Sequence, residues 1–220
     1  MKTMKSTDKP LILGIVDEES EITYYRVRSL KFKVQSLEFM DDARGTRHEA
    51  LCLDDRVIIL EKSAGEQLHQ DGFYGNIIGD RLQISLIEGA YLADKKIITL
   101  RDAKSGNELS LTEFIELSKR IEPDFELRLK VYQALKSKNL IVKTGFKFGA
   151  HFRAYDENPA HSHARYLVNC VVPEQSRISW PDISKSVRLA HGVKKELVFA
   201  LVPEREPEKI EYISFERVRP

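Results

Sequence analysis

Apolar residues form short runs near both ends of the chain and recur at helical spacing through its middle. Near the start, LILGIV (Leu11 to Val16), an acidic turn and ITYYRV (Ile22 to Val27) predict a β-hairpin. LVFALV (Leu197 to Val202), a longer acidic turn and IEYISF (Ile210 to Phe215) predict another near the end. β-Branched and aromatic residues flanking a polar loop favour that conformation. The two first strands match in apolar or small character at all six positions, which suggests that the N-terminal hairpin is the remnant of an upstream copy of the C-terminal domain.

Between the hairpins, CLDDRVIIL (Cys52 to Leu60) predicts a strand, a polar helix follows from Ser63 to about Gln70, and DGFYGNIIGDRLQIS holds a further strand. Gly75 and Gly79 have the spacing that opens a phosphate loop, but no Lys-Ser/Thr follows, so they are expected as turn glycines. Ser85 before LIEGAYLADK and Ser110 before LTEFIELSKR each have a glutamate three residues on, Glu88 and Glu113, the signature of a capping box. IITL is a strand between them. Pro123 opens a helix whose Phe125, Leu129, Tyr132 and Leu135 form one apolar stripe, and this helix is expected to join two domains. LIVKT, FKFGAHFRAY and ARYLVNCVV then predict strands, followed by a helix from about Trp180 to Ala190 and the closing hairpin. The pattern is α+β: an N-terminal extension at 1–50, a small mixed α/β domain at 51–122, and a β-rich mixed-sheet domain with a flanking helix at 123–220.

With 220 residues, 42% of them apolar, the chain can bury a core, and its formal net charge is only +1. The charge is unevenly spread. Residues 126–202 hold thirteen Lys and Arg against six Asp and Glu, a local charge of +7, leaving −6 for the remainder. A basic half suits a polyanion, because each neutralised phosphate releases counterions. Cys52 and Cys170 lie far apart without CxxC spacing, as expected of a reducing interior. The first ten residues carry charge but no apolar stretch, and no run approaches the length of about eighteen residues that crosses a bilayer. A soluble cytoplasmic protein with no membrane association is expected.

Tyr155 and His163 stand eight residues apart between two predicted strands, and Lys195 follows in VRLAHGVKKELVFALV. Cleaving an RNA phosphodiester without metal asks for a base to take the 2′-OH proton, an acid for the leaving 5′-oxygen and a cation for the charge on phosphorus. Histidine, with an ordinary pKa of about 6.5, suits the acid. Tyrosine, with an ordinary pKa of about 10, suits the base only when a nearby cation favours its anion, which a lysine does while also facing the phosphate. His161 and His163 form an H-x-H pair, but no third ligand lies at a helpful spacing, so neither a metal nor a cofactor is expected. On spacing alone, His161 and Lys194 remain alternatives to His163 and Lys195.

From about Asp54 to the C-terminus the chain resembles the archaeal tRNA-splicing (tRNA-intron) endonuclease family. The matching phrases are FYG, SLIEGAYLADKKI, DFELRLKVYQALKSKNLIVKTGFKFGAHFRAY, HARYLV and VRLAHGVKKELVFALV, within some three quarters of the chain. The resemblance implies that 123–220 is a catalytic nuclease domain. It also implies cleavage of precursor tRNA at the two bulges of a bulge-helix-bulge, without metal, leaving a 2′,3′-cyclic phosphate and a 5′-OH. The F-R-x-Y phrase assigns Tyr155 as general base. The histidine three residues before the YLV strand is His163, the general acid, and the lysine after VR-x-AH-x-V-[KR] is Lys195, the transition-state cation.

The family clamps a bulge base between two arginines, a mode suited to splayed-out RNA. Arg188 matches the first, and Arg217 or Arg219 the second. An acidic loop between the last two strands inserts into a neighbouring subunit in this family. Pro203 to Lys209, with Glu204, Glu206 and Glu208, has that character, so a homo-oligomer or a hetero-oligomer with a second endonuclease subunit is expected, with a basic pocket on the partner. The simplest members lack anything like residues 1–50 and fused members carry a whole degenerate copy, which implies a subunit-contact position for the N-terminal hairpin. Competing expectations are a non-catalytic structural or RNA-binding subunit, and a metal-dependent restriction-type nuclease hinted at by Pro181-Asp182.

Overall fold

Strand pairing follows the apolar runs. The computed structural model of the chain describes residues 10–16, 20–32, 47–176 and 178–218. By their contacts these fall into two units, one drawing on 1–34 and 144–220, the other on 35–143. The chain opens with β1 (Leu11–Val16) and β2 (Ile22–Ser29), the antiparallel hairpin expected there.

The unit formed from 35–143 follows, with β3 (His48–Cys52), β4 (Val57–Ile59), α1 (Lys62–Gly72), β5 (Asn76–Ile78), β6 (Arg81–Ile84), α2 (Leu86–Asp94), β7 (Ile98–Asp102), β8 (Glu108–Leu109), α3 (Leu111–Ile121) and α4 (Phe125–Lys136). Its strands lie in the order β5-β6-β4-β3-β7-β8, with β3 and β7 parallel. CLDDRVIIL, expected as one strand, is two: the Asp54-Asp55 turn, closed by Leu53 N–H donating to Arg56 O at 2.9 Å, folds β4 back on β3. DGFYGNIIGDRLQIS likewise yields a hairpin, turning at Gly79 with φ 60°.

Both predicted capping boxes are present, on Ser85 with Glu88 and on Ser110 with Glu113. Glu88 is only 7% exposed, yet its carboxylate accepts from Ser85 N–H, Ser85 Oγ–H and Gly75 N–H, which offsets the cost of burying it. The helix α4 begins at Phe125, two residues beyond Pro123. It packs on α2 and α3, burying Phe125, Leu129, Tyr132 and Leu135, the stripe read from its spacing.

At β9 (Ile141–Thr144) the chain passes from one unit to the other. FKFGAHFRAY, expected to be extended throughout, is a strand only at β10 (Phe152–Tyr155). Phe146–Phe148 form a 3-10 turn instead, because Gly149 takes φ 65° and the backbone at Gly145 runs so close to Phe152 that a Cβ would lie 2.8 Å from its carbonyl carbon. After them come β11 (Tyr166–Val171), α5 (Trp180–Gly192), β12 (Glu196–Leu201) and β13 (Glu211–Val218). The seven-stranded sheet runs β1-β2-β13-β12-β11-β10-β9. On it lies α5, opened by a third capping box between Ser179 and Asp182. Val187 and Ala190 of α5 pack with Leu167, Val171, Leu197, Phe199 and Tyr25, whose hydroxyl lies 2.7 Å from Ser184 Oγ. No helix among the described residues is long and apolar enough to cross a membrane.

The two hairpins share a register. Leu11 pairs with Val27 in the first as Leu197 pairs with Phe215 in the second, and these are the residues that the sequence similarity aligns. Val27 and Phe215 then face each other across the antiparallel β2–β13 pair, so a local two-fold relates the hairpins.

Gly75 and Gly79 both have positive φ, but a Cβ at Gly75 would lie 2.1 Å from Gln83 O, whereas one at Gly79 meets nothing within 4 Å. Gly79→Ala should therefore cost about 1 kcal/mol through backbone conformation alone, and Gly75→Ala about 3 kcal/mol or more. Denaturant unfolding of the two variants measures the difference; equal losses would contradict the close approach at Gly75.

Candidate active site

Strand direction decides which residues meet. The strand β10 is antiparallel to β11, with Ala154 opposite Tyr166, and β11 is parallel to β12, with Tyr166 opposite Glu196. The C-terminal end of β10 and the N-terminal ends of β11 and β12 therefore lie along one edge of the sheet. Tyr155 is the last residue of β10, His163 precedes β11 by three residues, and Lys195 immediately precedes β12. Neighbouring strands are about 4.8 Å apart, so all three are delivered within a few strand widths of one another.

Each is held by local structure. Tyr155 is nearly buried, at 7% exposure, and the Arg153 guanidinium lies 5.8 Å from its ring centroid, on the face that alternate strand residues share. His163 is exposed, on a loop folded around Asn158, whose carbonyl accepts from His161 N–H and Ser162 N–H, both at 3.0 Å. The Arg165–Asp156 ion pair, at 2.8 Å, closes the base of that loop. At the end of α5, Lys194 N–H donates to His191 O and Lys195 N–H to Ala190 O, with Lys194 at φ 54°. This is a Schellman ending with lysine at the left-handed position that usually takes glycine. It leaves Lys194 exposed and turns Lys195 inward.

The Lys195 ammonium lies 5.5 Å from the Phe148 ring centroid, donates to Val193 O at 3.4 Å, and shares that ring with the Lys147 ammonium at 5.2 Å. Burial, and then the charges of Arg153 and Lys147, hold Lys195 below the usual lysine range. Arg153 Nε is buried with no hydrogen-bond partner among the described residues. Like charges gathered with an unanswered donor describe a site for an anion. Arg153 is the arginine of the F-R-x-Y phrase, which gives it no role of its own, and no motif singles out Lys147. The signal for Arg153 is its place two residues before Tyr155 on one strand.

Arg188 is exposed on α5. Arg217, on β13, lines a cavity of about 520 Å³ together with Arg28, Lys194, Lys195, Glu196 and Glu216. Arg219 lies outside the described residues. The loop carrying Glu204, Glu206 and Glu208 follows the opposite end of β12, about 20 Å of strand from Lys195. All three glutamates are exposed; Glu204 accepts from Gln175 at 3.2 Å and Glu206 pairs with Lys209. Asp182, the hint of a metal-dependent nuclease, commits its carboxylate to the N-cap of α5, accepting from Ser179 N–H at 3.3 Å and Ser179 Oγ–H at 2.5 Å.

Comparison with known proteins gives two domain matches. Residues 125–212 match the family model described as tRNA intron endonuclease, catalytic C-terminal domain, and residues 49–115 match that described as tRNA intron endonuclease, N-terminal domain. A tRNA-splicing endonuclease of Methanosarcina mazei is 38% identical over 219 residues, covering 98% of this chain and 60% of its own length. One of Haloarcula marismortui is 37% identical over 215 residues, 95% of this chain and 59% of its own. One of Pyrococcus abyssi is 39% identical over 164 residues, 73% of this chain and 94% of its own. The chain thus spans about 60% of the length of the longer relatives it matches.

A lysine held below its ordinary range is neutral, and so nucleophilic, at a lower pH than its neighbours. In competitive acetylation read by peptide mass spectrometry, the labelling midpoint of Lys195 should fall below that of a free lysine model peptide, and Arg153→Met should move it up. An Arg153→Met midpoint identical to that of the unsubstituted protein would refute the contribution of the cationic neighbour.

Proposed function

Because the chain belongs to the tRNA intron endonuclease family, we propose that it is an RNA endonuclease that cuts precursor tRNA at its intron junctions. The observation that carries the reading is the delivery of Tyr155, His163 and Lys195 to one sheet edge beside Arg153, whose Nε is unanswered among the described residues. Tyr155 takes the proton of the 2′-OH. The 2′-oxygen attacks phosphorus, the bond to the 5′-oxygen breaks, and His163 protonates that oxygen. The products are a 2′,3′-cyclic phosphate and a 5′-OH, and no metal takes part. Lys195 and Arg153 hold the charge that builds on the phosphate oxygens. A preorganised charge of this kind is commonly worth about 2.7–4 kcal/mol in the transition state.

A bulge-helix-bulge offers bases already unstacked, which suits Arg188 and Arg217 as guanidinium platforms. Glu204, Glu206 and Glu208 belong to a subunit contact with a basic partner surface, and the N-terminal hairpin sits at a further contact position. The active protein is then an oligomer, with copies of itself or with a second endonuclease subunit.

His163→Ala should lower cleavage by about 10²–10⁴-fold, the usual share of a general acid, while Kd for an uncleavable intron-containing tRNA stays unchanged. EDTA should leave the rate as it is. Full activity of the variant would eliminate the acid assignment, and abolition by EDTA would favour the restriction-type alternative. Replacing Glu204, Glu206 and Glu208 together by Gln should reduce the mass seen by light scattering; an unaltered oligomer would remove the loop from the contact.

A further inference from the structure

Strand β2 does more than extend the sheet. Arg28 reaches across β13, its Nε donating to Ser214 Oγ at 3.1 Å and its Nη2 to Glu196 Oε1 on β12 at 2.7 Å. Two residues earlier, on the same face, Arg26 pairs with Glu216 at 3.0 Å. Both carboxylates line the 520 Å³ cavity that also receives Lys194, Lys195 and Arg217. Counting lysines, arginines and carboxylates, that lining without β2 would carry three cations against two anions, a charge of +1; Arg28, which lines the cavity, raises it to +2, and Arg26, which does not, answers Glu216 from outside it.

The two pairs are not equivalent. The arginines are alike, Arg28 at 43% and Arg26 at 41% exposed, but the Glu196 side chain is 14% exposed and weakly screened, whereas Glu216 is 47% exposed. Solvent and salt weaken the outer pair. Arg28 therefore does most to set the sign of the cavity.

We propose that the N-terminal hairpin completes a subsite for the RNA backbone. Arg28 and Arg26 cancel Glu196 and Glu216, and the cavity takes a phosphodiester flanking the one at Tyr155, His163 and Lys195. The inference rests on the endonuclease reading. It makes Arg28 a positioning residue, acting through Glu196 on the field that the phosphate meets.

The test uses the full chain and an intron-containing tRNA with 2′-deoxy residues at the cleavage junctions. Arg28→Gln should raise Kd roughly tenfold, as expected for one uncovered charge at short range in a partly screened site. Glu196→Gln alone should not weaken binding, and the double variant should bind within about twofold of the unsubstituted protein, since its cavity charge is restored. Thermal midpoints are read alongside, because a merely structural ion pair would lower stability without any return of Kd in the double variant. Should Arg28→Gln not fold, Arg26→Gln with and without Glu216→Gln must give the same pattern at smaller amplitude. Unchanged binding in Arg28→Gln, or a double variant as weak as Arg28→Gln, would overturn the proposal. Absence of binding by the unsubstituted protein would instead defeat the endonuclease reading on which it rests.

Discussion

The parallel alignment of β11 with β12 obliges the chain to cross over between them, since a tight turn can join only antiparallel neighbours. The helix α5 makes that crossover, and everything at the candidate site depends on where it ends. It buries Val187 and Ala190 against the sheet, which fixes its position. It then stops through the Lys194 turn, so that Lys195 enters β12 at the edge where β10 finishes and β11 begins. An antiparallel β12 would carry Lys195 to the far edge, and no side-chain adjustment would return it to Tyr155.

Local stability is lost at that edge rather than gained. Lys194 occupies a backbone conformation that favours glycine, Lys195 is held near Arg153 and Lys147 against their mutual repulsion, and Arg153 Nε is left without a partner among the described residues. Elsewhere in the same unit Ser179 caps α5 and Tyr25 finds Ser184, although Ser20 also takes a positive φ. Departures from local consistency that collect in one place are the mark of a site shaped for something other than folding. Here they share one sign of charge, the arrangement that an anion would relieve.

Much of this is legible in the sequence because it depends on short-range rules. The capping boxes on Ser85 and Ser110, the apolar stripe of α4 and the two hairpins are each set within a few residues, and each is present. FKFGAHFRAY departs from its expected extension for a non-local reason: alternation predicts a strand, but Gly145 lets the backbone approach Phe152 and curl into a 3-10 turn. The position of Arg153 beside Tyr155 is written in the sequence, but its charge environment and that of Arg28 are not, for the same kind of reason. Their significance lies in what reaches them from other strands, which no spacing within one segment reveals.

The N-terminal hairpin joins these threads. Tyr25 belongs to the core, and Arg26 and Arg28 meet the carboxylates of β13 and β12, so β2 is part of the sheet's interior and of its charge pattern at once. By pairing with β13 it covers an edge that the C-terminal hairpin would otherwise leave open, and its own register repeats that hairpin's. Among the described residues the edge is thereby moved to β1, whose Leu13 and Ile15 turn toward the core while Ile12 and Val16 stay 51% and 60% exposed. An uncovered edge strand usually carries lysine, proline or a bulge to discourage pairing. LILGIV has none of these, and the protection of β2 by pairing with β13 is not matched at β1 among the described residues.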